Sequence, residues 1–220
     1  MSGVKILDAS RGTCFANSFI RPERAAFAPP RQVSCYVALT MICIYCQIDE
    51  ATTHDHVPPK QLLRKPYPTN LLTVPSCEKC NNGYSTDEEY FRLIIIGLLC
   101  HTPEAEMLFD GPLSRSMNRR PNLEDLMFDA LSPEEGGVAL HINDHRIHRV
   151  ADKIAKGLRF AAKGLLTPPH ISYSIQFGEI DEQSSTQTSG RDFTYTILDE
   201  RALCIEFTIY QSVRFRAMAT

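Results

Sequence analysis

The chain has 220 residues and a mass of 24.8 kDa, enough for one sizeable core or two small ones. Hydrophobic residues make up 43% and charged residues 22%, which excludes a wholly disordered chain. The formal net charge is -3, from 23 basic and 26 acidic residues, so a nucleic-acid partner would have to be met by a local basic surface. The longest apolar runs, 33–46 and 93–100, fall short of the roughly 18 residues that span a bilayer, and no membrane partner is expected.

Residues 1–40 are weakly periodic and are broken by Pro22, Pro29 and Pro30. They hold five basic residues against two acidic ones. They read as a flexible basic arm, or as a leader ahead of a start at Met41. No secretory signal pattern is read there, and a cytoplasmic location is expected.

Residues 41–84 are rich in turn residues and β-formers. The stretch 51–57 predicts a strand that stops at Pro58-Pro59, and 70–74 predicts a second short strand before Pro75. Ser85 with Glu88 three residues on reads as a capping box. It opens a helix to about His101, which Pro103 ends.

Residues 104–220 form a second region. A helix is expected at 122–131, followed by a break at Gly136-Gly137. Residues 146–166 predict an amphipathic helix, with Ile147, Val150, Ile154, Leu158, Ala161 and Leu165 on one face. Arg146, Arg149, Lys153, Lys156 and Lys163 are expected on the other face, and Pro168-Pro169 stop the helix. Stretches 171–177, 193–198 and 204–210 read as antiparallel strands, with a polar loop at 181–190. The expected fold class is α+β: a metal-stabilised module over 41–103 and an α+β accessory region over 104–220.

Eight cysteines are present. Four form two Cys-x-x-Cys pairs, Cys43/Cys46 and Cys77/Cys80. Without a secretory pattern, two such knuckles point to one tetrahedral structural zinc ion rather than to disulfides. Cys14, Cys35, Cys100 and Cys204 have no partner pattern and are expected to be small buried hydrophobes. The 30 residues between Cys46 and Cys77 exceed the usual zinc-ribbon spacing, so something is inserted there.

The insert contains Thr53-His54-Asp55-His56-Val57-Pro58-Pro59-Lys60, then Thr69-Asn70-Leu71-Leu72, then Cys77-Glu78-Lys79-Cys80-Asn81-Asn82. Over about residues 41–92 this resembles the HNH endonuclease family, with an Asp-His-Val-x-Pro strand, an Asn-Leu strand and a second knuckle followed directly by Asn. The resemblance implies a ββα-metal module. It implies that His56 is the general base, Asp55 and Asn81 ligands of a catalytic divalent ion, and Asn70 the residue orienting the histidine loop. It also implies cleavage of nucleic acid, chiefly DNA, leaving 5′-phosphate and 3′-hydroxyl ends.

These residue types suit phosphodiester hydrolysis on chemical grounds. A neutral imidazole takes a proton from water near pH 7. A carboxylate with an amide oxygen suits Mg²⁺ or Mn²⁺ beside the leaving oxygen. A Cys₄ zinc has no open position for chemistry. The chain departs from the family where Tyr84 replaces a common lysine and where the Asn70-to-Cys77 stretch is long. His54 is a rival base, and Asn82 competes with Asn81. Candidate phosphate contacts are Lys60, Arg64 and Lys65 after the first strand, and Arg149, Lys153 and Lys156 on the amphipathic helix. A zinc-stabilised nucleic-acid-binding module without catalysis is the alternative.

Overall fold

Alternating β-formers between the two cysteine pairs make a short hairpin. In the computed structural model, β1 (Thr53–Val57) and β2 (Leu72–Ser76) run antiparallel, with Asp55 opposite Val74 and Val57 opposite Leu72. Alternation places Thr53, Asp55 and Val57 on one side and His54 and His56 on the other. Asp55 and Val57 are buried, His54 is exposed and His56 is half-buried. β2 runs through Pro75 rather than stopping before it. A proline is tolerated in a two-stranded ladder whose edges stay open, and the Pro75 carbonyl accepts the Ile44 N–H at 3.1 Å.

The structure describes residues 41–99, 102–134, 137–140, 144–171, 173–178, 187–188, 192–199 and 204–220. The arm at 1–40, most of the polar loop at 181–190, Cys14, Cys35, Cys100 and His101 lie outside the described residues.

α1 (Glu78–Gly83) follows the second knuckle, and α2 (Ser85–Ile94) starts one residue later. The capping box at Ser85 does not form. Tyr84 is at once the end of α1 and the cap of α2, and its helical φ/ψ of -96°/-10° is not the extended conformation that a side-chain cap requires. The chain continues as a π-helical turn over 95–99. Pro103, expected to end a helix, begins one. In α3 (Pro103–Leu108) the Thr102 hydroxyl accepts the Ala105 N–H at 3.3 Å, and proline suits the first helical position because its N–H is not needed there. α4 (Ser114–Arg119) and the expected α5 (Asn122–Asp129) follow. β3 (Leu131–Glu134) and β4 (Gly137–Leu140) pair as an antiparallel hairpin; Gly136, part of the expected break, lies outside the described residues.

α6 (His145–Lys163) carries the long apolar stripe. Asp144 caps it by accepting the Arg146 N–H at 2.8 Å. Gly164, at φ 66°, ends it in the left-handed conformation that glycine allows, before the prolines are reached. Ile147, Val150, Ile154 and Leu158 are buried. α6 lies on the hairpin and on the C-terminal sheet.

That sheet contains β5 (Tyr173–Gly178), β6 (Gln187–Thr188), β7 (Phe193–Ile197), β8 (Cys204–Ile209) and β9 (Val213–Ala219), all antiparallel in the order β5-β9-β8-β7-β6. Phe207 stacks on Phe215 at 4.9 Å between ring centres, and Phe91 of α2 meets Phe215 at 5.4 Å. One buried cluster therefore runs from Ile44 and Val57 through Phe91 and Ile154 to Phe215. Residue 103, the expected module boundary, does not separate two cores. The chain is a mixed α+β protein, and among the described residues no helix is long and apolar enough to cross a membrane.

Candidate functional site

The first knuckle is a tight turn. The Gln47 N–H reaches the Cys43 carbonyl and the Cys43 N–H reaches the Asp49 carbonyl, each at 2.9 Å, while Gln47 sits at φ 56°. The second knuckle is the start of α1, where Cys77 Sγ accepts the Cys80 N–H at 3.4 Å. Ile44 bonds to Pro75 and so fixes one knuckle against the other. The sulfurs of Cys43, Cys46, Cys77 and Cys80 all lie within 4.8 Å of one another, and Cys46 and Cys77 are 3.9 Å apart. Four thiolates about 2.3 Å from one tetrahedral metal are spaced by about 3.8 Å. The cluster is thus close enough to hold a metal ion such as zinc.

Burial pushes the Cys43 thiol up, but the backbone amides of Cys46, Cys77 and Tyr45 outweigh it and bring it down to about 7. Burial raises Cys77 and Cys80, and a bound cation would reverse that by taking the thiolate. No disulfide is present among the described cysteines. Cys204, expected to be buried, is half-exposed at the head of β8.

The Asp55 side of the hairpin holds a buried ion cluster. Asp55 Oδ2 accepts the Tyr45 hydroxyl at 2.8 Å and pairs with Lys153 Nζ at 2.7 Å. Asp55 Oδ1 accepts the His56 N–H at 2.9 Å. Lys153 also pairs with Glu88, which accepts Gln61 Nε2 at 2.9 Å. The ammonium lies 4.9 Å from the Tyr84 ring centre and 5.7 Å from that of Tyr45. Burial raises Glu88, and Lys153 pulls it back. Burial and the Asp55 carboxylate raise Tyr45, so the phenol that Asp55 meets keeps its proton, and burial pushes Tyr84 up to about 12. Lys153 is 1% exposed.

This corrects the expectation that Lys153 contacts phosphate. It sits at the margin of the apolar stripe of α6, and its counter-charges come from β1 and α2.

Asn81, in α1, donates from Nδ2 to Thr53 Oγ1 at 3.2 Å, and Thr53 shares the Asp55 side of β1. The donor set does not fit the divalent ion expected on Asp55 and Asn81. Both Asp55 oxygens already take donors from the chain, and a buried ammonium stands against the carboxylate. Mg²⁺ or Mn²⁺ bound there would share a desolvated pocket with a like charge, and Lys153 would have to withdraw first.

His56 projects to the other side of β1. Burial, and then the charge of Lys60, hold its imidazole below the ordinary value, while Asp55 pulls the opposite way. His56 is accordingly neutral at pH 7. His54 shares its side and is exposed. Asn70 is not in the strand. It lies exposed in the turn before β2, where the Leu71 N–H bonds to the Pro68 carbonyl at 3.2 Å. Asn82 is exposed in α1.

Most of the expected phosphate contacts have partners inside the protein. Arg64 grips Asp192 through Nη2 at 2.7 Å and Nε at 3.1 Å. Arg149 pairs with Asp87 and covers the Tyr84 ring at 4.8 Å. Lys156 pairs with Asp152 at 2.6 Å, one turn away on α6. Lys60 and Lys65 differ. Both are exposed, and they lie 5.5 Å and 5.8 Å from the ring centre of Tyr67. Glu88, Tyr45 and Tyr67 escape a motif-based reading because only tertiary contacts join them to the site. Compared with known proteins, the chain matches no family model, no curated protein and no solved structure.

Proposed function

We propose that the chain is a nucleic-acid phosphodiester hydrolase of the HNH type, built on a structural zinc held by Cys43, Cys46, Cys77 and Cys80. The observation that carries this reading is His56. It is a neutral imidazole on the accessible side of a hairpin whose two ends lead into one four-cysteine cluster. Free thiols at that spacing fit a reducing compartment such as the cytoplasm.

In the reaction, an imidazole nitrogen of His56 takes a proton from water as the water oxygen bonds to phosphorus. The bond from phosphorus to the leaving oxygen breaks, and that oxygen takes a proton from solvent. Lys60, whose charge already acts on His56, offsets negative charge on the phosphate. Asp55 holds the strand through the His56 N–H and through Lys153.

The test is nicking of supercoiled plasmid, with DNA as the expected substrate, by wild type and by His56→Ala, with and without added Mg²⁺ or Mn²⁺. Cleavage by wild type and its loss in His56→Ala support the reading. Equal cleavage by both removes His56 as the base.

The Asp55–Lys153 pair also favours a second reading, a zinc-stabilised nucleic-acid-binding module without catalysis. Binding of DNA by both proteins with no cleavage under any metal condition selects it.

A further inference from the structure

The segment between β1 and β2 is long and firmly anchored. Leu62 and Leu63 are 1% and 3% exposed. The Leu62 carbonyl accepts the Tyr210 hydroxyl at 3.0 Å. Arg64 is fastened to Asp192 through its side chain, and its N–H meets the same carboxylate at 3.1 Å. Past these anchors the chain reads Lys65-Pro66-Tyr67-Pro68, and a proline on each side restricts the backbone around Tyr67. Tyr67 packs partly on the core and is half-buried, so the ring is held in place.

Two exposed ammonium groups attend that one ring, Lys60 at 5.5 Å and Lys65 at 5.8 Å from its centre. Among the described residues neither has a carboxylate within ion-pair distance. Arg64, Arg149, Lys153 and Lys156 all have one. Two like charges on one aromatic surface repel each other, and no acid among the described residues relieves them. A polyanion bearing flat apolar groups would, by taking the ring face with a base and the two lysines with its flanking phosphates. Paired bases in a duplex have both faces already stacked, whereas an unpaired base has a face to offer.

We infer that Tyr67, flanked by Lys60 and Lys65, is a stacking platform for an unpaired base with a phosphate on either side. The substrate class of the His56 site is then single-stranded nucleic acid, or a duplex with an unpaired segment. This rests on the hydrolase reading only for the word substrate, since the platform is a binding site in its own right.

The experiment is fluorescence anisotropy of the full-length, zinc-loaded protein without added Mg²⁺, using labelled oligo(dT), oligo(U) and a mixed-sequence duplex of equal length. Wild type is expected to hold at least one single strand more tightly than the duplex. Tyr67→Leu, which keeps an apolar group on the core, is expected to weaken single-strand binding on the order of tenfold to a hundredfold, and Tyr67→Phe to restore it. The double variant Lys60→Gln/Lys65→Gln should flatten the slope of log K against log salt by about 1.4. Duplex held as tightly as single strand, Tyr67→Leu binding like wild type, or Tyr67→Phe failing as Tyr67→Leu fails would each overturn the platform. Binding that behaves as expected, with neither the plasmid nor the labelled single strands cleaved under any metal condition, leaves the platform standing and removes the hydrolase. Cleavage with Tyr67-independent binding does the reverse.

Discussion

Lys153 Nζ lies 2.7 Å from Asp55 Oδ2, and the same ammonium is held by Glu88. This pair joins α6 to β1 across a buried boundary. Lys153→Met removes the cation and leaves two carboxylates facing each other without water. Removing one partner of a buried ion pair costs on the order of 3–5 kcal/mol. Urea denaturation at pH 7 is expected to show a loss of that size. The loss should shrink as pH falls and the orphaned acids protonate. A midpoint unchanged at neutral pH would mean that the cluster is not buried in solution.

The four-cysteine cluster makes a prediction about composition as well as stability. Purified protein is expected to carry one zinc per chain. Structural zinc contributes about 10 kcal/mol or more in finger peptides, so Cys77→Ser should lose both the metal and the cooperative melt seen by circular dichroism. A metal-free wild type with an unshifted melt would remove the zinc from the scaffold.

The histidine makes a prediction about pH. Burial, Lys60 and Lys153 hold His56 below 6.5 in the fold, against the pull of Asp55. The unfolded chain therefore takes up this proton at higher pH than the folded one does. The associated stability is fully present above 6.5 and is lost as pH falls from 6.5 through the lower folded value. Denaturant midpoints measured across that interval should rise with pH, and His56→Gln should flatten this component. For the hydrolase, the acid limb of the pH–rate profile should fall below 6.5. A limb above 6.5 would assign the base to another group.

How much was legible in the sequence depended on how local the cause was. The two knuckles show in cysteine spacing alone, and β1 and α6 show in their periodicity. β9 was hidden. Its residues alternate well, with Val213, Phe215 and Ala217 buried, but the turn before it places Tyr210 and Gln211 at φ 51° and 53°. Asn and Gly usually announce such a turn, and a tyrosine fixed to the Leu62 carbonyl does not.

The helix begins at Ser85 as its sequence announces, but the capping box does not form because Tyr84 serves two helices at once. A helical pattern records only hydrophobicity, so it places Lys153 on the solvent side of α6. The two acids that neutralise it stand 98 and 65 residues away in the chain. The divalent site on Asp55 fails for the same reason, since a motif names a carboxylate without naming the cation already beside it.

The closest approach of α6 to the hairpin gives a last prediction. A Cβ at Gly157 would lie 2.5 Å from Val57 Cγ2 and 3.1 Å from Val57 Cγ1. Val57 is 1% exposed and, being β-branched, has little rotamer freedom with which to retreat. Helix propensity alone would make Gly157→Ala stabilising by about 1 kcal/mol. The overlap reverses the sign, because an extra carbon in a tight core costs about 1–3 kcal/mol. Gly157→Ala is therefore expected to lower the urea midpoint, and Val57→Ala in the same chain to recover part of the loss by making room. Recovery would show that the two residues meet in solution as they do here, with His56 one residue from the contact. A Gly157→Ala protein more stable than wild type would place α6 farther from β1 and would loosen the Lys153–Asp55 pair with it.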